Sequence, residues 1–261
     1  MADMTRSWWN PLLQLQCTHL SHPIRKLVLE QNMVVQWPGH LLDRYVAPKS
    51  SALTKCLAPE VPEAPDYFGS FFFNNVFTEQ EPDRTLSLTN VFLRRFANAV
   101  EDYRNGRKEM CACVAALQCS NEMVRAYMRA LSYFEACVVN TNLALKAHDT
   151  VGKLWNPKEP RTFNTGDGSP AQRLNTVYNA LKHFDDNQAK GTVPPDVFTP
   201  MWLADDGIEC VGSEGGAKLH FKELIDVQRD LEKDARWISE EVYRFVDARA
   251  EAKPNGGKRI T

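Results

Sequence analysis

The chain has 261 residues, 43% of them hydrophobic and 25% charged, with a formal net charge of −2. This balance excludes a wholly disordered chain and a globally basic polyanion binder, so any contact with nucleic acid or anionic lipid has to be local. No apolar run approaches the roughly 18 residues needed to cross a bilayer, and the opening stretch lacks a signal peptide's apolar segment, which predicts a soluble cytoplasmic protein without a membrane partner.

Residues 1–85 hold eight of the fifteen prolines, including Pro59, Pro62 and Pro65, and are expected to form an irregular arm. One helix is predicted within it, from His22 to Asn32, with Pro23 in its first turn and Ile24, Leu27 and Val28 on one face. Phe71, Phe72 and Phe73, flanked by Phe68 and Phe77, form its apolar centre, which either docks on the protein's own core or meets a protein partner.

Helical periodicity begins near Ser87. Phe92, Phe96, Ala99 and Tyr103 share a face, Asn105-Gly106 predicts a break, and a short helix follows from Cys111 to Leu117. Ser120 is expected to cap the longest helix, running toward Lys153 with Val124, Tyr127, Met128, Leu131, Phe134, Val138 and Leu145 as its buried stripe. A loop rich in Gly and Pro leads to a helix over 171–186. Met201-Trp202-Leu203, a turn at Asp205-Asp206-Gly207, and Ile208 to Val211 predict a β-hairpin within 201–221, with a second turn at Gly215-Gly216. A final helix over 221–249 carries Leu224, Val227, Leu231, Ala235, Ile238, Val242 and Phe245 at steps of three and four. The expected fold is therefore mainly α: an antiparallel helical bundle over 86–250, a small β-hairpin before the last helix, an irregular N-terminal arm, and a flexible tail over 251–261.

Few constellations in the sequence carry chemistry. The seven cysteines are odd in number and sparse, which fits reduced thiols rather than a disulfide framework. Cys111 and Cys113 diverge by about 200° on a helix and cannot share a tetrahedral metal site. No phosphate-binding glycine loop and no nucleophile elbow occurs, so no cofactor is expected. Glu135 lies about 40° from Leu131 on the long helix, beside the apolar stripe, and is expected to be buried with a partner, either structural or positioning His183.

The most informative stretch is Arg173–His183, R-L-N-T-V-Y-N-A-L-K-H. On a helix it sorts Leu174, Val177, Tyr178, Leu181 and Asp185 to one side, and Gln172, Thr176, Asn179 and His183 to the other. His183 is the side chain whose ordinary pKa lies nearest neutrality, and Asn179 one turn away can orient either its ring or a ligand.

The long helix containing S-Y-F-E-A-C-V-V-N-T-N-L-A-L, followed by a loop and a helix with Y-N-A-L-K-H, resembles the HEPN superfamily of helical, nucleic-acid-associated domains over about residues 87–190. That family's motif is Arg, a polar residue that is often Asn, three further residues, then His; Asn179 and His183 match it, and Tyr178 stands at the Arg position. The resemblance implies an intracellular, homodimeric interaction module in RNA-associated or defence-type processes. The alternative that it implies is a metal-independent endoribonuclease using His183, with Asn179 orienting, Lys182 as a substitute cation and Glu135 supporting. Losing the motif cation removes a principal electrostatic contribution to cleavage, which favours the noncatalytic reading.

Overall fold

Two long helices dominate the architecture because each carries a continuous apolar stripe. The computed structural model describes residues 36–76, 84–155, 158, 162–194, 196–211 and 217–252. The elements below belong to the unit Trp37–Thr261; Gln36 is the one described residue of the unit before it. Helix α1 spans Gly39–Tyr45, α2 Tyr67–Val76, α3 Arg84–Ala115, α4 Asn121–Trp155, α5 Pro170–Lys182, α6 Phe184–Ala189 and α7 Phe221–Ala252. Strands β1 Met201–Ala204, β2 Gly207–Cys210 and β3 Ala217–His220 form an antiparallel sheet in that order, immediately before α7.

Helices α3 and α4 run antiparallel. Arg129 pairs with Glu109 at 2.8 Å and Asn140 donates to Asp102 at 2.7 Å, so rising numbers on one helix meet falling numbers on the other. Phe92, Phe96, Ala99 and Tyr103 are buried on α3, and Tyr127, Leu131, Phe134, Val138 and Leu145 on α4, as their spacing predicts, while Val124 and Met128 of the same expected stripe are half-buried. Ser120 caps α4 as expected, its Oγ accepting the Met123 N–H at 3.2 Å. The predicted break at Asn105-Gly106 does not occur, and α3 is one helix through Ala115. Gly106 serves packing instead: a Cβ there would lie 3.1 Å from the Phe134 ring, so its bare backbone lets the two helices close.

The hairpin forms with Leu203 opposite Ile208 and Ala204 opposite Gly207, and β3 adds to β2 with Ile208 opposite Leu219. Met201, Leu203, Ile208, Cys210 and Leu219 face the core. The Leu203 N–H donates to the buried Tyr127 hydroxyl at 3.1 Å, tying the sheet to α4. On α7, Leu224, Val227, Leu231, Ala235 and Ile238 are buried, while the side chains of Val242 and Phe245 lie outside the described residues.

The Pro-rich stretch is less irregular than expected. Residues 37–76 contribute α1, a 3₁₀ turn at Ser50–Ala52 and α2, and Leu42, Ala47, Leu53, Ala58, Tyr67 and Phe71 join the same hydrophobic core as α3 and α4. Of the phenylalanine cluster, Phe71 docks on that core, whereas Phe72 and Phe73 are exposed. The expected His22–Asn32 helix, Phe77, the Gly215-Gly216 turn and residues 253–261 of the expected 251–261 tail lie outside the described residues, and the first two tail residues, Glu251 and Ala252, belong to α7 instead.

Candidate functional site

Helix α5 starts where its sequence supplies a cap. The Ser169 Oγ accepts the Gln172 N–H at 3.1 Å, and Pro170 occupies the first turn, where no intrahelical N–H partner is needed. Ala171, Leu174 and Val177 are buried and Tyr178 and Leu181 half-buried, while Thr176, Asn179, Lys182 and His183 are exposed. The two faces are those read from the sequence, with one correction. Helix α5 ends at Lys182 and His183 has φ −107°, ψ 11°, so the chain turns before α6 and Asp185, expected on the apolar side, is exposed.

His183 thus stands at a helix junction. Its N–H donates to the Asn179 carbonyl at 3.1 Å, and its own carbonyl accepts the Asn187 N–H at 2.9 Å. The imidazole Nδ1 lies 4.0 Å from the Asp186 carboxylate, and Asp185 is in the same first turn of α6. The Asp186 carboxylate and the carbonyl end of α5 lie beside the ring, and their negative charge disfavours an anion placed directly on it.

The cation that the sequence did not place comes from α4. Lys146 Nζ sits 4.4 Å from the centroid of the Tyr178 ring. Burial, and secondly the positive charge of Lys182, hold the Lys146 ammonium below its ordinary pKa. Lys146 over Tyr178 therefore shares an electrostatic neighbourhood with Lys182, which follows Tyr178 by one turn of α5 and precedes His183 in the chain. Spacing along α5 could not reveal this, because Lys146 approaches from another helix. One turn before it on α4, Asn142 is fully buried and neither of its amide atoms has a partner among the described residues.

Glu135 does not join this group. It is half-buried, has no hydrogen-bond or ion-pair partner among the described residues, and lies eleven residues, about 16 Å of helix rise, from Lys146. On α5, Arg173 is engaged elsewhere: its Nε donates to the Glu223 carboxylate at 3.0 Å, and the guanidinium also holds the Gly168 carbonyl. Burial raises the Glu135 carboxyl above the usual range. The folded state then binds the proton more tightly than the unfolded chain, so this group's contribution to stability falls as pH rises between the two pKa values. Glu135→Gln is accordingly expected to raise the thermal midpoint at pH 7 and to leave it nearly unchanged at about pH 3, below the ordinary Glu pKa, where the carboxyl is neutral in both folded and unfolded chains. A fall at pH 7 would indicate a partner for the carboxylate and reverse this reading.

Among the described residues no group of three His, Cys, Asp or Glu is placed to hold a metal ion, and no described helix is long and apolar enough to cross a membrane. Compared with protein-family models, with curated proteins and with solved structures, the chain matches none.

Proposed function

We propose that the chain is a HEPN-like interaction module that holds RNA on the α4–α5 face without cutting it. The observation that carries this reading is the convergence of Lys146 and Lys182 around Tyr178. Two ammonium groups beside a half-buried aromatic ring suit a phosphate and its neighbouring base, and such contacts act locally in a chain of near-zero net charge. Asn179, exposed on the same helix, adds a neutral donor and acceptor. Cleavage is disfavoured by the surroundings of His183, where Asp185, Asp186 and the end of α5 concentrate negative charge at the place where a phosphorane would need a cation. A homodimer, in the reducing cytoplasmic setting expected for these thiols, would bring two such faces together and double the cationic contacts.

The test is fluorescence anisotropy with a labelled single-stranded RNA of about twelve nucleotides at two salt concentrations, beside sedimentation of the free protein. Binding is expected to weaken with salt at a slope of about −1.4 in log–log form for two phosphate contacts per chain. Lys146→Glu with Lys182→Glu is expected to weaken it at least tenfold, whereas His183→Ala changes it less than twofold and the RNA stays intact in the presence of chelator. Unchanged binding by the folded double variant overturns the proposed face. Cleavage that survives chelator and disappears in His183→Ala would instead establish the ribonuclease alternative.

A further inference from the structure

The segment between the 3₁₀ turn and α2 is a strap of extended chain, without helix or strand, laid across α3. The Asp205 carboxylate fastens one end, accepting the N–H groups of Thr54 and Lys55 at 2.9 and 3.0 Å, and the Asp205 carbonyl accepts the Leu57 N–H at 2.9 Å. Helix α3 fastens the next part: Arg107 Nε donates to the Ala58 carbonyl and the Tyr103 hydroxyl to the Pro59 carbonyl, both at 2.9 Å. Between these anchorages, Cys56 Sγ lies 2.9 Å from Cys111 Sγ on α3 and 4.0 Å from the Arg107 carbonyl. The two thiols are thus brought together by five hydrogen bonds that do not involve sulfur. Both residues are half-buried, whereas Cys113, Cys137 and Cys210 are buried. Farther along, residues 60–64 of the strap wall a cavity with Phe96, Ile225 and the buried Gln228, whose Oε1 has no partner among the described residues.

We propose that Cys56 and Cys111 are a redox-modification site that closes to a disulfide with a small hydroperoxide as oxidant, locking the strap onto α3. One thiolate attacks the peroxide, the O–O bond breaks, and a sulfenic acid forms as water leaves. The second thiol then attacks that sulfur, the S–O bond breaks, and a second water carries away the remaining oxygen and protons. Each sulfur gives up one electron and the peroxide takes up two, so two thiols and one hydroperoxide become one disulfide and two waters when the oxidant is hydrogen peroxide. A thiol reductant reverses the step. Burial, followed by the neighbouring Cys111, pushes the Cys56 thiol up to about 12, so little Cys56 thiolate is present near neutral pH and closure is slow. The link turns a strap held by hydrogen bonds into one held covalently, and with it the wall of the cavity beside Gln228.

The test uses the full chain, purified reduced, treated with hydrogen peroxide and alkylated before peptide mapping. The expected result is a linked Cys56–Cys111 peptide pair, two hydrogens lighter than the sum of its parts, that disappears on adding reductant. The thermal midpoint of the oxidised form is expected to rise by about 5–10 °C, because the link restrains the unfolded chain. Cys56→Ser and Cys111→Ser should each abolish both the link and the rise. Mapping on the unsubstituted chain keeps the proposal falsifiable even where a variant folds poorly. Recovery of Cys56 and Cys111 both alkylated, at a peroxide dose that has already oxidised the half-buried Cys119, would overturn the proposal. So would a linkage of either cysteine to a different residue.

Discussion

Phe134→Ala is expected to destabilise the protein by about 3–5 kcal/mol and to lower its thermal midpoint by roughly 10 °C or more. Phe134 is fully buried at the meeting point of three helices: its ring centroid lies 4.9 Å from that of Phe221 at the start of α7 and 5.8 Å from that of Tyr103 on α3. The site has little capacity to collapse around the missing ring. Gly106 faces the ring with no side chain to move in, and Tyr103 is held by its hydroxyl to the Pro59 carbonyl. The loss therefore includes both the transfer of the ring and the cavity left behind. Thermal unfolding followed by circular dichroism measures it, with Phe72→Ala as the control. Phe72 is 47% exposed, and its truncation should change stability by no more than about 0.5 kcal/mol. A Phe134→Ala cost below about 1 kcal/mol would mean that the three-helix junction is not packed as described.

Gly207→Ala is the second large effect, about 2 kcal/mol or more, and its cause is backbone contact rather than a lost side chain. A Cβ at residue 207 would lie 2.5 Å from the Leu219 carbonyl oxygen and 3.0 Å from the His220 Cα, both main-chain atoms of the paired strand. Relief requires β2 and β3 to separate at the Gly207–His220 pair. That strain reaches α7, because its first residue, Phe221, donates its N–H to the Asp206 carbonyl at 3.0 Å in the same turn. Urea unfolding is expected to show a lower midpoint with an unchanged slope, and amide exchange should quicken in β2 and β3 before the α3–α4 pair responds. Unchanged exchange in the sheet would show that the strands accommodate a methyl group and that glycine is not required there.

Much of the fold was legible in the order of residues because its determinants are local. The apolar stripe from Val124 to Leu145, the Ser120 cap, the turn at Asp205-Asp206-Gly207 and the stripe that opens α7 each depend on neighbours within a few positions, and periodicity reports them directly. Asn105-Gly106 misled for a related reason: the same glycine that marks a turn in isolation also permits close helix contact, and only the Phe134 ring opposite distinguishes the two uses. The division of α5 into a buried and an exposed face was equally local. Its termination at Lys182 was not, because nothing in Y-N-A-L-K-H breaks a helix.

By itself the sequence determined the helical class, the hairpin and its place before the last helix, and which side of Arg173–His183 faces water. The tertiary structure decided the rest. It set Lys146 over Tyr178 from a different helix, left Glu135 without the partner that its phase suggested, and carried Cys56 to Cys111 across 55 residues. It also made the Pro-rich stretch part of the core, through Leu53, Ala58 and Phe71. The physical reason is common to all four. Periodicity records which way a side chain points on its own element, whereas charge convergence, pairing and thiol contact depend on which other element packs there, and that is settled by long-range packing of the whole chain.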